Sequence, residues 1–227
     1  MYKTFFNWSS GKDSALALYY LLQDKRYSVE YLLTSINTDY NRVSMHGIRV
    51  ELLRKQLNCI DIPYGFISLS QNATNAEYEA RMRQRIMELK FNGFEYAAFG
   101  DIFLEDIRKY RESQLNPLNI KAIFPLWQKN TTYLIEQFIE LGFKAIVVCI
   151  NTSVMDTSFL GRIIDKSFIK DLPANVDPCG ENGEFHTFCF DGPIFKRPVS
   201  FSIGEFVFRE YKNSVSSTGF WFCDLLY

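Results

Sequence analysis

Cysteine is sparse in this chain of 227 residues, and it is poorly spaced for chemistry. Cys59, Cys149, Cys179, Cys189 and Cys223 are odd in number and include no C-x-x-C pair. Neither a disulfide framework nor a zinc knuckle is expected from that pattern, and a reducing cytoplasm is the natural compartment. Long apolar runs are also lacking. The longest, Ala15 to Leu22, has eight residues, against the about 20 that a membrane span needs. The segment before Ser9-Ser10-Gly11 is too short to read as a secretory signal. A charge excess is missing as well: 25 basic and 26 acidic residues give a net charge of -1. Affinity for nucleic acid comes largely from neutralised phosphates, so neither a nucleic acid nor a membrane is expected as partner.

What is present suits a globular protein. Apolar residues make up 47% of the chain and charged residues 22%, enough to bury a core without staples. The first half alternates strand and helix signals. Strands are expected at Tyr2–Trp8, Val29–Ile36, Tyr64–Leu69 and Tyr96–Phe99, and helices at Lys12–Gln23, Ile48–Leu57 and Glu77–Leu89, with a polar loop over Asn37–Met45. That order predicts a Rossmann-like α/β fold: a parallel sheet with helices on both faces. After Pro125-Leu126-Trp127 the pattern changes. A helix (Thr131–Leu141) and a strand (Ala145–Ile150) lead into a segment rich in glycine and proline. Strands there fit Phe185–Phe190, Val199–Ile203, Glu205–Tyr211 and Gly219–Leu225. Two units are expected, 1–128 and a smaller mixed α/β unit, 129–227.

Trp8-Ser9-Ser10-Gly11-Lys12-Asp13-Ser14 joins the first strand to the first helix. Unpaired N–H groups and the positive end of a helix dipole meet there. Ser9, Ser10 and Ser14 add hydroxyls, Gly11 permits close approach, and Lys12 adds a point charge. The loop is not a Walker A sequence, because Phe6 stands where its first glycine is required. A Ser/Gly turn that merely caps a helix is the competing reading.

A second cluster is Asp177-Pro178-Cys179-Gly180-Glu181-Asn182-Gly183-Glu184-Phe185-His186-Thr187. It displays carboxylates, an amide, an imidazole and a hydroxyl in a compact loop, with Glu184 and His186 on one face of a strand. Such a set can bind Mg²⁺ through oxygen or move protons. It can equally be a solvated hairpin turn with a buried histidine.

Both segments carry a family resemblance. The first is similar to the S-G-G-x-D-S loop of N-type ATP pyrophosphatases, with Ser10 replacing the first glycine of the pair. The second resembles the G-E-N-G-E-F-H-T signature of the diphthine–ammonia ligase family, and Asp191-Gly192-Pro193-Ile194-Phe195 follows it. Phe99-Gly100-Asp101-Ile102, Tyr110-Arg111-Glu112, Pro125-Leu126-Trp127 and Phe159-Leu160-Gly161-Arg162 also match. The resemblance runs from the phosphate loop to about Phe195.

The resemblance implies a HUP-type fold and an ATP-dependent amide ligase. A carboxylate (diphthine, a modified histidine on the translocation elongation factor, or an analogous acceptor) would be adenylated with loss of pyrophosphate. Ammonia would then displace AMP. Carried over to this chain, Ser9, Ser10, Gly11, Lys12, Asp13 and Ser14 cradle ATP, Asp13 holds Mg²⁺, and Gly100 and Asp101 lie on the nucleotide side. Gly180, Glu181, Asn182, Gly183, Glu184, His186 and Thr187 form the acceptor side. Lys12, Asp13, Glu181, Glu184 and His186 are the catalytic candidates. Asp101 as a helix N-cap and His46 as a helix-start residue are competing readings, and Arg108 and Arg111 read as solvated helix charges. Cys179 is a weak nucleophile candidate, while Cys149 and Cys189 read as core. A tRNA-modifying ATP pyrophosphatase and a non-enzymatic nucleotide-binding protein are the alternatives. The aromatic tail with Phe220, Trp221 and Phe222 packs on the core or on another subunit, so a homodimer is left open.

Overall fold

The computed structural model describes residues 1–43, 46–71, 73–212 and 217–227. The first half folds into strands β1 (Tyr2–Asn7), β2 (Tyr27–Asn37), β3 (Arg42–Val43), β4 (Tyr64–Leu69), β5 (Tyr96–Ala98) and β6 (Lys121–Ile123). Helices α1 (Lys12–Gln23), α2 (Val50–Ile60), α3 (Asn75–Phe91) and α4 (Glu105–Leu115) connect them. β1 pairs in parallel with β2 on one side and β5 on the other. β4 joins the far side of β2 and β6 the far side of β5, both in parallel. β3 adds a two-residue antiparallel extension to the end of β2.

Strand alternation divides the side chains between two faces. Phe6, Leu32 and Ala98 enter one apolar cluster with α1 and α2. Their neighbours Phe5, Leu33 and Ala97 enter the other with Ile86 and Leu89 of α3 and Leu115 of α4. Helices therefore cover both faces of a mainly parallel sheet, as the alternating pattern predicts.

The second half contributes α5 (Thr131–Glu140), β7 (Lys144–Asn151), α6 (Lys166–Asp171), β8 (Phe185–Asp191), β9 (Ser202–Lys212) and β10 (Ser217–Leu226). Its strands form an antiparallel sheet in the order β8-β7-β10-β9. The first apolar cluster also contains Leu134, Phe138, Val147, Phe185 and Phe188. One core thus runs across position 128 and presses the second sheet against α1.

Two expectations are corrected, and two helices fall where no span is expected. Val199–Ile203 is not a separate strand. Val199 donates a main-chain bond to Phe190 at 2.8 Å, and β9 starts at Ser202 and continues past Gly204, where its register against β10 shifts. Helix α4, implied only by reading Arg108 and Arg111 as helix charges, has no expected span because only Leu115 of it is buried, which leaves no apolar stripe to detect. Helix α6 has six residues and is started by Asp165, whose carboxylate accepts from the Phe168 amide. Within the loop expected over Asn37–Met45, Asn37 ends β2 and Arg42–Val43 is strand; its last two residues, Ser44 and Met45, lie outside the described residues.

Candidate active site

The order of the parallel sheet reverses between β1 and β5, and ligands of such sheets bind at the carboxyl ends of strands on either side of that point. Here β1 gives way to the Trp8–Gly11 turn and then to α1. Ser10 takes a left-handed conformation, φ 74°, which strains any residue with a Cβ. The serine therefore occupies a position whose geometry favours the glycine it replaces. Its hydroxyl is buried, with no hydrogen-bond partner among the described residues.

A buried amide holds this turn. Gln56 of α2 accepts from Trp8 Nε1 at 2.9 Å. It donates through Nε2 to the carbonyls of Ser10 at 2.9 Å and Cys189 at 2.6 Å. The Cys189 amide also donates to Ser10 O at 2.9 Å. Ser9 and Ser14 exchange a hydroxyl–hydroxyl bond of 2.7 Å. Gly11 is tightly enclosed, since a Cβ there would lie 2.8 Å from His46 Cε1 and 3.2 Å from Thr187 O. A Cβ on Gly100, just past β5, would lie 3.0 Å from the Ser14 amide nitrogen. Its missing side chain lets the β5 end abut the first turn of α1.

The acidic loop packs onto this same edge. The Lys12 amide donates to Thr187 Oγ1 at 3.0 Å. The Lys12 ammonium pairs with Asp13 Oδ2 at 2.8 Å and also donates to the Cys179 carbonyl. It lies 5.0 Å from the centre of the Phe185 ring. Burial is the largest single influence and would lower the Lys12 pKa; Asp13, Cys179 and Glu181 together outweigh it and hold the ammonium above its ordinary value. Lys12 is thus a buried tie between the two loops, where its sequence position suggests a free point charge.

Within the acidic loop, Asp177 Oδ2 accepts from the amides of Cys179 and Glu181 at 3.0 and 3.1 Å. Gly180 has φ 68°, and a Cβ there would meet the Phe185 ring at 2.8 Å. Gly183 is also left-handed, φ 83°, but in open space. Glu184 is buried. Its Oε1 accepts from the Asp177 amide at 3.1 Å and from Asn182 Nδ2 at 3.0 Å, while its Oε2 is buried with no partner among the described residues. Glu181 reaches across to the β5 loop, where its Oε1 accepts from the Ile102 amide at 2.7 Å and the Phe103 amide at 3.4 Å. Burial, aided by nearby Asp13 and Asp101 and opposed by the Ile102 amide, pushes the Glu181 carboxyl up to about 7.

Two histidines line the same edge. Their ring centres are 4.9 Å apart, and His46 Nδ1 lies 3.0 Å from Thr187 O. Burial lowers His46 to about 4 and His186 to about 3. Both rings are therefore neutral near pH 7, and His186 is a poor proton acceptor for ammonium. His46 is no helix-start residue, since α2 is preceded by Arg49; it faces Gly11 instead.

Asp101 does not cap α4, because Leu104 holds that place. It pairs with Arg111, Nε to Oδ2 at 2.8 Å. Arg111 also stacks on Phe99 at 4.3 Å, so it is not the solvated charge its sequence position suggests. Arg108 pairs with Glu112 at 2.8 Å and lies 4.7 Å from the Trp127 ring centre. Cys179 is buried, its thiol pushed upward by burial, and its Sγ donates to Thr131 O at 3.4 Å; that is no nucleophile. Cys149 and Cys189 are buried in the core.

Sequence reasoning missed Gln56. The available signal was a polar residue on a helical stripe otherwise built from Leu52, Leu53, Leu57 and Ile60, all buried.

The strand–loop–helix turn at the sheet reversal, closed by an acidic loop, defines an α/β protein with a candidate anion-binding site. Family models then match almost the whole chain: the diphthamide synthase N-terminal domain over residues 2–122 and its C-terminal domain over 130–217. The chain belongs to the diphthamide synthase family. Among curated relatives, it is 30% identical over 110 residues to the diphthine–ammonia ligase of Bos taurus and 29% to that of Homo sapiens. Each match covers 46% of this chain and 41% of the relative, so it spans less than half the length of these proteins. A solved structure described as a predicted subunit of tRNA methyltransferase from Methanocaldococcus jannaschii aligns over 63% of this chain and 80% of its own, at 17% identity and TM-score 0.43.

Among the described residues, no helix is long and apolar enough to cross a membrane. Among them, too, no group of three or more His, Cys, Asp or Glu side chains is arranged to hold a metal ion.

Proposed function

We propose that this protein is an ATP-dependent amide ligase. In this reading it adenylates a carboxylate, releases pyrophosphate, and lets ammonia displace AMP. The acceptor is diphthine, as the names of the curated relatives suggest, or a similar carboxylate. The observation that carries the reading is the contact between the two loops through Lys12 and Thr187. An acceptor carboxylate must reach the α-phosphate, so phosphate donors and acceptor groups have to share one edge.

The chain's own residues divide the work around that edge. Residues 1–128 supply the nucleotide side, with Ser9, Gly11 and the first turn of α1 receiving phosphates, and Gly100 keeping β5 close enough to complete the cradle. Residues 129–227 supply the acceptor side through Gly180–Thr187. Glu184 Oε2, buried with no hydrogen-bond partner among the described residues, fits a cationic group such as ammonium. Lys12 holds the two sides in register and adds positive charge near the phosphates. Magnesium usually takes one or two carboxylates, with phosphates and waters completing its shell. Asp13, an oxygen donor beside the loop, fits that role, and the ion would neutralise phosphate charge.

The test is product analysis with ATP, ammonia and a diphthine-bearing elongation factor. AMP, pyrophosphate and the amide are expected; ADP and orthophosphate would contradict the reading. Glu184→Gln should leave ATP affinity within a few-fold while amide formation falls by roughly 10²–10⁴. Loss of ATP binding with turnover spared at saturating ATP would place the loop on the nucleotide side instead.

A further inference from the structure

Strand β9 is the edge of the antiparallel sheet. It pairs with β10 over Ser202–Ile203 and Phe206–Lys212, with a register shift at Gly204 and Glu205, and among the described residues no strand pairs with its other side. An open edge is a template for another strand, and from Phe206 to Lys212 this one is regular.

The side chains of β9 extend the sheet's apolar face beyond its own core. Opposed residues in an antiparallel pair share a face. Ile203 opposes Leu225, Phe206 opposes Cys223, and Phe208 opposes Trp221. Leu225 and Cys223 are buried at 1% and 4% exposure, yet Ile203, Phe206 and Phe208 stand 52%, 47% and 48% exposed. The face is continuous, but its cover thins beyond β10, where the turn at Gly161 reaches only the tips of Ile203 and Phe206.

The charges on the other face are self-complementary. Glu205, Val207 and Arg209 alternate on that face, and neither Glu205 nor Arg209 has an ion-pair partner among the described residues. In an antiparallel pairing of β9 with itself about a two-fold axis at Val207, Glu205 falls opposite Arg209 of the other copy, twice. Phe206 falls opposite Phe208, also twice. Moving the axis to Phe208 sets Phe206 against Glu210 and Val207 against Arg209. Moving it to Phe206 sets Phe208 against Gly204 and Ile203 against Arg209. The Val207 register therefore matches charge with charge and ring with ring.

We propose that β9 binds a second copy of this chain through that register, joining two four-stranded sheets into one of eight strands. The axis stands perpendicular to the sheet, so the apolar faces of both copies lie on the same side. Each copy then covers the overhanging Phe206 and Phe208 of the other. The interface is isologous and closes at two copies.

Charge reversal tests this on the full chain by sedimentation equilibrium, with circular dichroism confirming the fold of each variant. The unaltered protein should populate a dimer. Glu205→Arg alone, or Arg209→Glu alone, places like charges opposite each other and should weaken association by roughly ten- to thirtyfold. Mixing those two variants should restore it, because each mixed pair again sets Glu against Arg. The double variant E205R/R209E should also dimerise. A protein monomeric up to about 100 µM, a dimer indifferent to either reversal, or a mixture that fails to reassociate would overturn the proposal.

Discussion

The main-chain amide of Lys12 donates to the hydroxyl of Thr187 at 3.0 Å, across 175 positions of sequence. That bond joins the start of α1 to strand β8, and with it the two motifs that stand out in the sequence. The Lys12 side chain makes a second tie, to Asp13 and to the Cys179 carbonyl.

Removing that side chain should affect binding and stability together. Lys12→Ala deletes a cation beside the phosphate loop and leaves the Cys179 carbonyl without its donor. ATP affinity should weaken by about 1.5–3 kcal/mol, and unfolding free energy should fall by about 1–3 kcal/mol. Calorimetric titration and urea denaturation measure the two separately. Unchanged ATP affinity in a folded variant would remove Lys12 from the nucleotide side.

Ser10→Gly should stabilise the protein. The substitution relieves a left-handed backbone, φ 74°, and removes a buried hydroxyl without a partner among the described residues. Relief of strain and of the unpaired group exceeds the chain entropy that glycine adds in the unfolded state, and a net gain of about 1 kcal/mol is expected. The readout is the urea midpoint at constant slope. A lower midpoint would mean that the serine is stabilising where it stands.

Gln56→Leu keeps the size of the side chain and removes three hydrogen bonds around the phosphate turn. Trp8 Nε1 loses its only acceptor among the described residues, and the Cys189 carbonyl loses a donor. The cost should be about 2–4 kcal/mol, because buried polar groups are left unpaired. Ser10 O retains the Cys189 amide, so the turn should persist in weakened form. Thermal denaturation that leaves the midpoint in place would show that the amide is not holding the loop.

The pH dependence of stability should carry a signature of Glu181. Its carboxyl is raised from 4.5 to about 7 in the folded protein, chiefly by burial. Between those values the folded state holds more proton than the unfolded state, so this group makes stability fall as pH rises through that window. Glu181→Gln keeps an oxygen for the Ile102 and Phe103 amides and abolishes the titration. Denaturation at pH 5 and pH 8 should show a smaller loss in the variant; an identical loss would assign the pH dependence elsewhere.

Much of the first half is legible from pattern alone. Tyr64–Leu69 and Lys12–Gln23 fold over the spans that their alternation and helical stripe indicate, because those side chains are sorted by burial and burial has a period. Helix α4 escapes that logic, since its exposed, charged faces leave no stripe. The one strand from Ser202 to Lys212 reads as two because Gly204, which marks a register shift and not a strand end, imitates a break. The chemistry of both loops is equally visible in sequence: hydroxyls, glycine and lysine before a helix, then carboxylates in a turn.

Sequence by itself determined the local elements and the chemical types gathered in each loop, because both depend on residues near one another in the chain. Tertiary structure decided which of those residues meet. It set Thr187 on the Lys12 amide, Glu181 on the Ile102 amide, His46 beside His186, and Arg111 on Asp101. It also turned Lys12 from an exposed charge into a buried tie. These pairings depend on how one continuous core presses the antiparallel sheet onto α1, and a long-range contact leaves no periodicity for a single sequence to display.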